Sequence, residues 1–233
     1  MDELPDLDDA AVLWSVPDSE RAGRPLLVLL HGYGADEHDL FGLAPHLPPE
    51  FVLAAVRAPL APPWPSPGYS WYPIGGASEN GGSGAGPRTT LDGRDPDAVT
   101  DAASAVLAWV DRAAIGAESV GMLGFSQGAA VAIQALRLAP ERFAFVINLS
   151  GYASPGLLAG DAQLATRKPP VFWGRGTRDE VIPEFLVEHT VQWLPGHADL
   201  SGRVYPGLTH SVSEQELADV RVFLEKVQGD VTG

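Results

Sequence analysis

The chain has 233 residues, no cysteine and a formal net charge of −15 at pH 7. That charge argues against nucleic acid or an anionic membrane surface as partner, since both repel an acidic protein; the missing cysteines exclude disulfides, a thiolate nucleophile and thiolate metal sites. With 45% hydrophobic and 19% charged residues, the chain has enough apolar material for a core, and one domain over residues 1–233 is expected.

The opening MDELPDLDDA reads as a solvated acidic terminus. It lacks a basic patch followed by an apolar run, so no secretory leader is expected and a cytoplasmic protein is the default. No apolar run is long enough to span a bilayer. AAVLWSV (10–16) predicts an edge strand, and PLLVLLH (25–31) a buried strand ending in the turn-like GYGADEHD. A short helix over 37–46 leads to the strand FVLAAV (51–56). Residues 97–115 place Val99, Ala102, Ala103, Val106, Trp109 and Val110 at helical spacing. Beyond them come the strand SVGMLGF, the helix QGAAVAIQALRLA and the strands FAFVINL and PVFWGRG. The helix EFLVEHTVQWL, the short strand GRVYP and the helix EQELADVRVFLEKV end the series. Strands that are apolar throughout are buried on both faces, as in parallel sheets between helix layers. The alternation therefore predicts an α/β fold, a mostly parallel central sheet flanked by helices on both faces.

Residues 57–93, rich in proline and glycine, break this rhythm. PWPSPGYSWYP is aromatic and stiff, and GGASENGGSGAG reads as a flexible tether. Trp64, Tyr69, Trp71 and Tyr72 either wall a substrate pocket or cover ordinary core; the pocket reading puts Trp71 and Tyr72 on the substrate side.

GFSQGA (124–129) sits where a strand meets a helix. A serine on so tight a turn needs small neighbours at −2 and +2, which Gly124 and Gly128 supply, and its hydroxyl is lifted above the carboxyl ends of the strands. Ser126 is then a nucleophile; the competing reading makes it a simple helix cap. A nucleophilic serine needs a base, and the base needs an orienting carboxylate, here expected in the order Ser, Asp, His on loops after later strands. Of the six histidines, only His210 follows the final strand. His197 falls in a helix-to-strand turn on the far side of the sheet. Ser213 and Glu216 have capping-box spacing, which pins the His210 loop before a helix. PVFWGRGTRDEVIP supplies Asp179. For the oxyanion, the expected donors are the backbone N–H groups of Gln127 and of Tyr33 in HGYGAD, although HGYG also reads as a plain strand exit. No His-Glu-x-x-His or clustered histidine pattern is present, so no metal and no cofactor are expected.

LHGYGAD, GFSQGAA, GTRDEVIP and THSVSEQEL together resemble the phospholipase/carboxylesterase family of α/β-hydrolases, which includes acyl-protein thioesterases, from about Leu26 to Val227. The resemblance implies Ser126, Asp179 and His210 as a triad and the Tyr33 and Gln127 N–H groups as the oxyanion hole. It also implies hydrolysis of carboxylic esters or thioesters through an acyl-enzyme, without a cofactor, and a possible homodimer. Where the family commonly has Trp, an aromatic and then Asp, this chain has Trp71-Tyr72-Pro73 before the glycine-rich insertion. The expected function is a serine esterase of short to medium acyl chains acting on a small-molecule ester. A thioesterase or lysophospholipase with the same triad is the enzymatic alternative, and a non-catalytic ligand-binding module is the other.

Overall fold

The computed structural model describes residues 4–62, 66–74 and 93–231. Trp64 and the GGASENGGSGAG stretch lie outside the described residues.

Seven strands form one sheet in the order β1-β3-β2-β4-β5-β6-β7. They are β1 (Leu13–Trp14), β2 (Leu26–Leu30), β3 (Val52–Val56), β4 (Val120–Phe125), β5 (Phe145–Leu149), β6 (Pro170–Gly176) and β7 (Asp199–Tyr205). β1 runs antiparallel to β3 and every other neighbouring pair is parallel. Side chains on a strand alternate between faces, so LLVLL must be apolar at every position to be buried on both. Leu26, Val28 and Leu30 enter one core, and Leu27 and Leu29 the other.

The first core is roofed by α2 (Pro96–Ala113) and α3 (Gln127–Leu138), with Leu164 of α4 (Asp161–Arg167) and Leu194 of α5 (Glu184–His197). The second is covered by α1 (Glu37–Phe41) and by Val220, Phe223 and Leu224 of α6 (Glu214–Val231). Each fully buried Val, Leu or Phe contributes about 1.5–3 kcal/mol, so the two layers hold the sheet from both sides. In α2 the buried residues are the six expected from helical spacing. Asp95 caps that helix by accepting from the Asp97 N–H at 3.0 Å, and Pro96 at its first turn has no N–H to leave unpaired. Among the described residues no helix is long and apolar enough to cross a membrane.

Several boundaries differ from the sequence reading. The helix expected over 37–46 divides into α1 and a separate 3-10 turn, Ala44–His46. Pro45, the second residue of that turn, has no N–H for a continuing α-helix. The edge strand shrinks to β1, because Asp9–Ala11 form a 3-10 turn with Asp8 as its cap. α4 went unread: it is one short helix stopped by Lys168 at φ 47° before Pro169. His197 is the last residue of α5, and β7 starts two residues later, earlier than GRVYP suggested. As an edge strand that is mostly exposed, β7 lacks the apolar run that marks its neighbours.

Candidate active site

The carboxyl ends of β2, β4, β6 and β7 converge, and each sends a loop to one cavity. Ser126 joins β4 to α3 with φ 54° and ψ −114°, a conformation costing a non-glycine residue on the order of 1–3 kcal/mol. Its N–H donates to Leu149 O at 2.8 Å and its carbonyl accepts from the Ala130 N–H at 3.1 Å, which holds the strained residue in place. The flanking glycines are required by space. A Cβ on Gly124 would stand 2.5 Å from Ala129 N, and one on Gly128 would stand 2.1 Å from Leu30 O. Ser126 does not cap α3 with its side chain. Its Oγ lies instead 2.8 Å from His210 Nε2.

His210 Nδ1 in turn is 2.8 Å from Asp179 Oδ2. The other oxygen, Oδ1, accepts from the N–H groups of Val181 (3.0 Å) and Ile182 (3.3 Å), which fixes the carboxylate's orientation. Burial works to raise the Asp179 carboxyl, but the hydrogen bonds and charge of His210, with those two N–H groups, outweigh it and hold the carboxyl below its ordinary range. An ionised carboxylate only accepts, so the ring carries its proton on Nδ1 and leaves Nε2 free to accept the serine O–H. The two loops are knitted together. The Thr177 N–H donates to Tyr205 O (3.0 Å), the Arg178 N–H to Leu208 O (2.9 Å) and the Gly207 N–H to Thr177 Oγ1 (2.8 Å). A Cβ at Gly176 would come 2.0 Å from Leu208 O, so only glycine permits this approach.

Below His210, the capping box is half formed. Ser213 Oγ accepts from the Glu216 N–H at 3.1 Å. The Glu216 side chain is 0% exposed, and neither carboxylate oxygen has a hydrogen-bond partner among the described residues. It fills the space over Gly174, where a Cβ would meet Oε1 at 2.0 Å. Burial, opposed by the nearby Ser213 N–H and reinforced by the charge of Asp219, pushes its carboxyl up to about 7.

Tyr33 and Gln127 both border the cavity beside Ser126, and among the described residues neither backbone N–H has a hydrogen-bond partner. The Tyr33 loop is braced from behind by His31. This buried ring donates from Nδ1 to Gly32 O at 2.7 Å and accepts the Ala58 N–H on Nε2 at 3.1 Å. Burial lowers its pKa, in keeping with the neutral ring those two bonds require. Gly34, at φ 79°, donates its N–H to Tyr69 O, and the Tyr69 N–H returns to Ala35 O. Arg57 forks onto both oxygens of Glu37, the bond from Nε measuring 2.6 Å, and so ties the loop after β3 to α1.

The Gln127 side chain does a second job that the sequence did not disclose. Oε1 accepts the Trp71 N–H (2.9 Å), while Nε2 donates to Tyr72 O (2.6 Å) and Ser70 Oγ (3.2 Å), so α3 carries the aromatic loop. Of the two aromatics assigned to the pocket, Tyr72 lines the cavity and Trp71 does not. A buried indole N–H needs an acceptor, and Trp71 finds His31 O at 2.8 Å, which turns the ring into the core at 0% exposure. Tyr69 stays half-buried under the Arg57 guanidinium, 4.7 Å from its ring centre.

The cavity measures about 310 Å³. Away from Ser126 and His210, Tyr72, Ile74, Arg94, Tyr152, Val181 and Ile182 line it. Arg94 and Tyr152 were not singled out in the sequence. Asp36, Glu37 and His38 are close enough together to suggest a metal site. They have other duties: Arg57 occupies Glu37, and Asp36 caps α1 through the His38 N–H at 2.9 Å.

A yeast protein, acyl-protein thioesterase 1 of Saccharomyces cerevisiae, is 33% identical over 113 residues, 47% of this chain and 50% of its own. The chain thus spans about half the length of the curated thioesterases it matches. A rice protein (Oryza sativa subsp. japonica), described as a probable inactive carboxylesterase, is 28% identical over 225 residues, 91% of this chain and 88% of its own. The crystal structure of esterase PE8 superposes with a TM-score of 0.70 at 25% identity, covering 96% of this chain and all of that one. The phospholipase/carboxylesterase family model matches residues 14–228. The chain belongs to the phospholipase/carboxylesterase family and has its α/β-hydrolase fold.

Proposed function

We propose that this chain is a serine hydrolase that cleaves carboxylic esters or thioesters through an acyl-enzyme. One observation carries the reading: an unbroken hydrogen-bonded line from Ser126 through His210 to Asp179, with links of 2.8 Å and 2.8 Å, opening on a cavity bordered by two N–H groups that have no partner among the described residues. His210 Nε2 takes the proton as Ser126 Oγ attacks the carbonyl carbon, and Asp179 stabilises the imidazolium that forms. The Tyr33 and Gln127 N–H groups receive the oxyanion, each donor being worth roughly 3–4 kcal/mol in a site of this kind. Collapse of the tetrahedral intermediate returns the His210 proton to the leaving alcohol or thiol. Water, activated by the same histidine, then releases the acid. No cofactor enters this cycle, and we read residues 1–233 as one domain.

A cavity of about 310 Å³ lies at the small end of ligand sites and favours short to medium acyl groups. Yeast and other fungal relatives are named thioesterases, and an identical triad would serve a thioester. The experiment is hydrolysis of p-nitrophenyl esters of increasing acyl length by wild type and Ser126→Ala. We expect turnover in wild type to fall by about a millionfold in the variant, as loss of the nucleophile does in a triad enzyme. Equal rates in the two proteins would overturn the proposal.

A further inference from the structure

The wall of the cavity away from Ser126 contains an unbalanced set of polar groups. Tyr72, from the loop after β3, and Tyr152, from the loop after β5, are 0% and 1% exposed, and their hydroxyl oxygens are 2.8 Å apart. Two hydroxyls carry two protons, and one contact between them uses one. Among the described residues each hydroxyl has only the other as partner, so one O–H donor is left over. An unpaired buried donor is unfavourable, and a ligand able to accept its proton would relieve that cost. Burial pushes the Tyr152 phenol up to about 12 and holds Tyr72 well above its ordinary value, so both remain protonated donors at neutral pH.

A cation stands beside this pair. Arg94 is 7% exposed, lines the same cavity and donates from Nη2 to Val181 O at 3.1 Å. Its charge acts on both tyrosine hydroxyls. An unsubstituted alkyl chain gains nothing from a phenol proton and a guanidinium, and would leave the spare donor unmet. A carboxylate accepts such a proton in a charge-assisted hydrogen bond, roughly twice as strong as a neutral one.

We propose that Tyr72, Tyr152 and Arg94 form a polar subsite for an anionic oxygen acceptor, a carboxylate, borne by the substrate at a distance from its scissile carbonyl. The substrates are then acidic half esters or half thioesters rather than plain fatty ones. This rests on the serine-hydrolase reading above. The net charge of −15 opposes anions at long range, but salt screens that field beyond about 10 Å, whereas the subsite acts at contact.

The test compares kcat/KM, by pH-stat, for monoethyl adipate against ethyl hexanoate. A second pair carries the carboxylate on the alcohol side: a butyrate ester of 4-hydroxybutyrate against butyl butyrate. Because the ratio is read within one protein, general losses of activity cancel. We expect wild type to prefer the acidic member of one pair by at least about tenfold, the effect of one hydrogen bond to a charged group. The preferred pair tells which side of the ester faces the subsite. Each of Tyr72→Phe and Tyr152→Phe keeps one donor and part of the preference; the double variant brings the ratio to about one, and Arg94→Met lowers it. Hydrolysis of all four esters with no acidic preference overturns the subsite and leaves the hydrolase standing. So does a preference that survives the double variant. Hydrolysis of none of them by wild type overturns the hydrolase reading, and the subsite with it.

Discussion

Two loops meet at the cavity and are held in different ways. The turn at Ser126 is fixed by its own backbone and by absent side chains: Gly124 and Gly128 admit main chain at distances no Cβ would allow. The aromatic loop from Gly68 to Pro73 also has backbone bonds to Ala35 and Leu60, but its aromatic residues are fixed by a side chain reaching them from far along the sequence, with Gln127 of α3 bonding Ser70, Trp71 and Tyr72. The first is a steric problem whose answer, a pair of glycines around Ser126, is written within six residues, although Gly128 makes room for Leu30 of β2. The second is a hydrogen-bonding problem solved by partners more than fifty residues away. A local constraint writes itself into a motif; a distant one leaves almost no mark.

The contrast breaks most sharply at Gly128→Ala. Its Cβ would have to push Leu30 O back from 2.1 Å, displacing Ser126 by on the order of an ångström. We expect kcat to fall at least about a hundredfold and stability by about 3 kcal/mol or more, read by kinetics and thermal melting. A variant with wild-type kcat would show that the turn is not sterically closed.

Glu216 probes the packing beneath the histidine loop. Its folded pKa, about 7, lies above the ordinary 4.5, so the native state holds this proton more tightly than the unfolded chain. The favourable contribution is complete below about 4.5 and is lost as pH rises to about 7. The loss amounts to about 3 kcal/mol, since each pKa unit is worth about 1.4. Glu216→Gln has no such proton to lose. Its melting temperature should therefore exceed wild type at pH 8 and approach it at pH 4.5. A constant difference across that range would rule out titration of Glu216 as the cause.

Gln127→Ala separates the two loops, because it removes the side chain that carries the aromatic loop but keeps the backbone N–H. We expect kcat/KM to fall about 10–100-fold, the equivalent of one or two lost hydrogen bonds, mainly through KM. A fall confined to kcat would place the effect at the oxyanion instead. The smallest change is expected at Tyr33→Ala. If Tyr33 serves through its N–H, removing the ring costs less than about tenfold, far below the loss of one oxyanion donor. A Tyr33→Ala variant as inactive as Ser126→Ala would move the function of this residue to its side chain.

This division explains what could be read in the sequence. The α/β architecture was legible because parallel strands buried on both faces must be apolar throughout, and LLVLL and VLAAV are. The helix at 96–113 was legible because one face of a helix repeats, and its six buried residues followed that period. Ser126, Asp179 and His210 were singled out by chain order and by their places after strands, and the fold brings them into hydrogen-bond contact. Trp71 was misplaced because composition says that a loop is aromatic, not which way a ring turns; the acceptor at His31 O decided that. Tyr152, Arg94 and the burial of the Glu216 carboxylate over Gly174 had no local signal. Each acquires its meaning from residues that only the folded sheet brings near.

The central claim is that Ser126 is the group that attacks. The most direct test treats the intact protein with a fluorophosphonate probe and locates the adduct by peptide mass spectrometry. The account predicts one adduct per chain, on Ser126, with complete loss of esterase activity, and none in Ser126→Ala. Full activity after treatment with no adduct, or stoichiometric labelling at another residue, would contradict it.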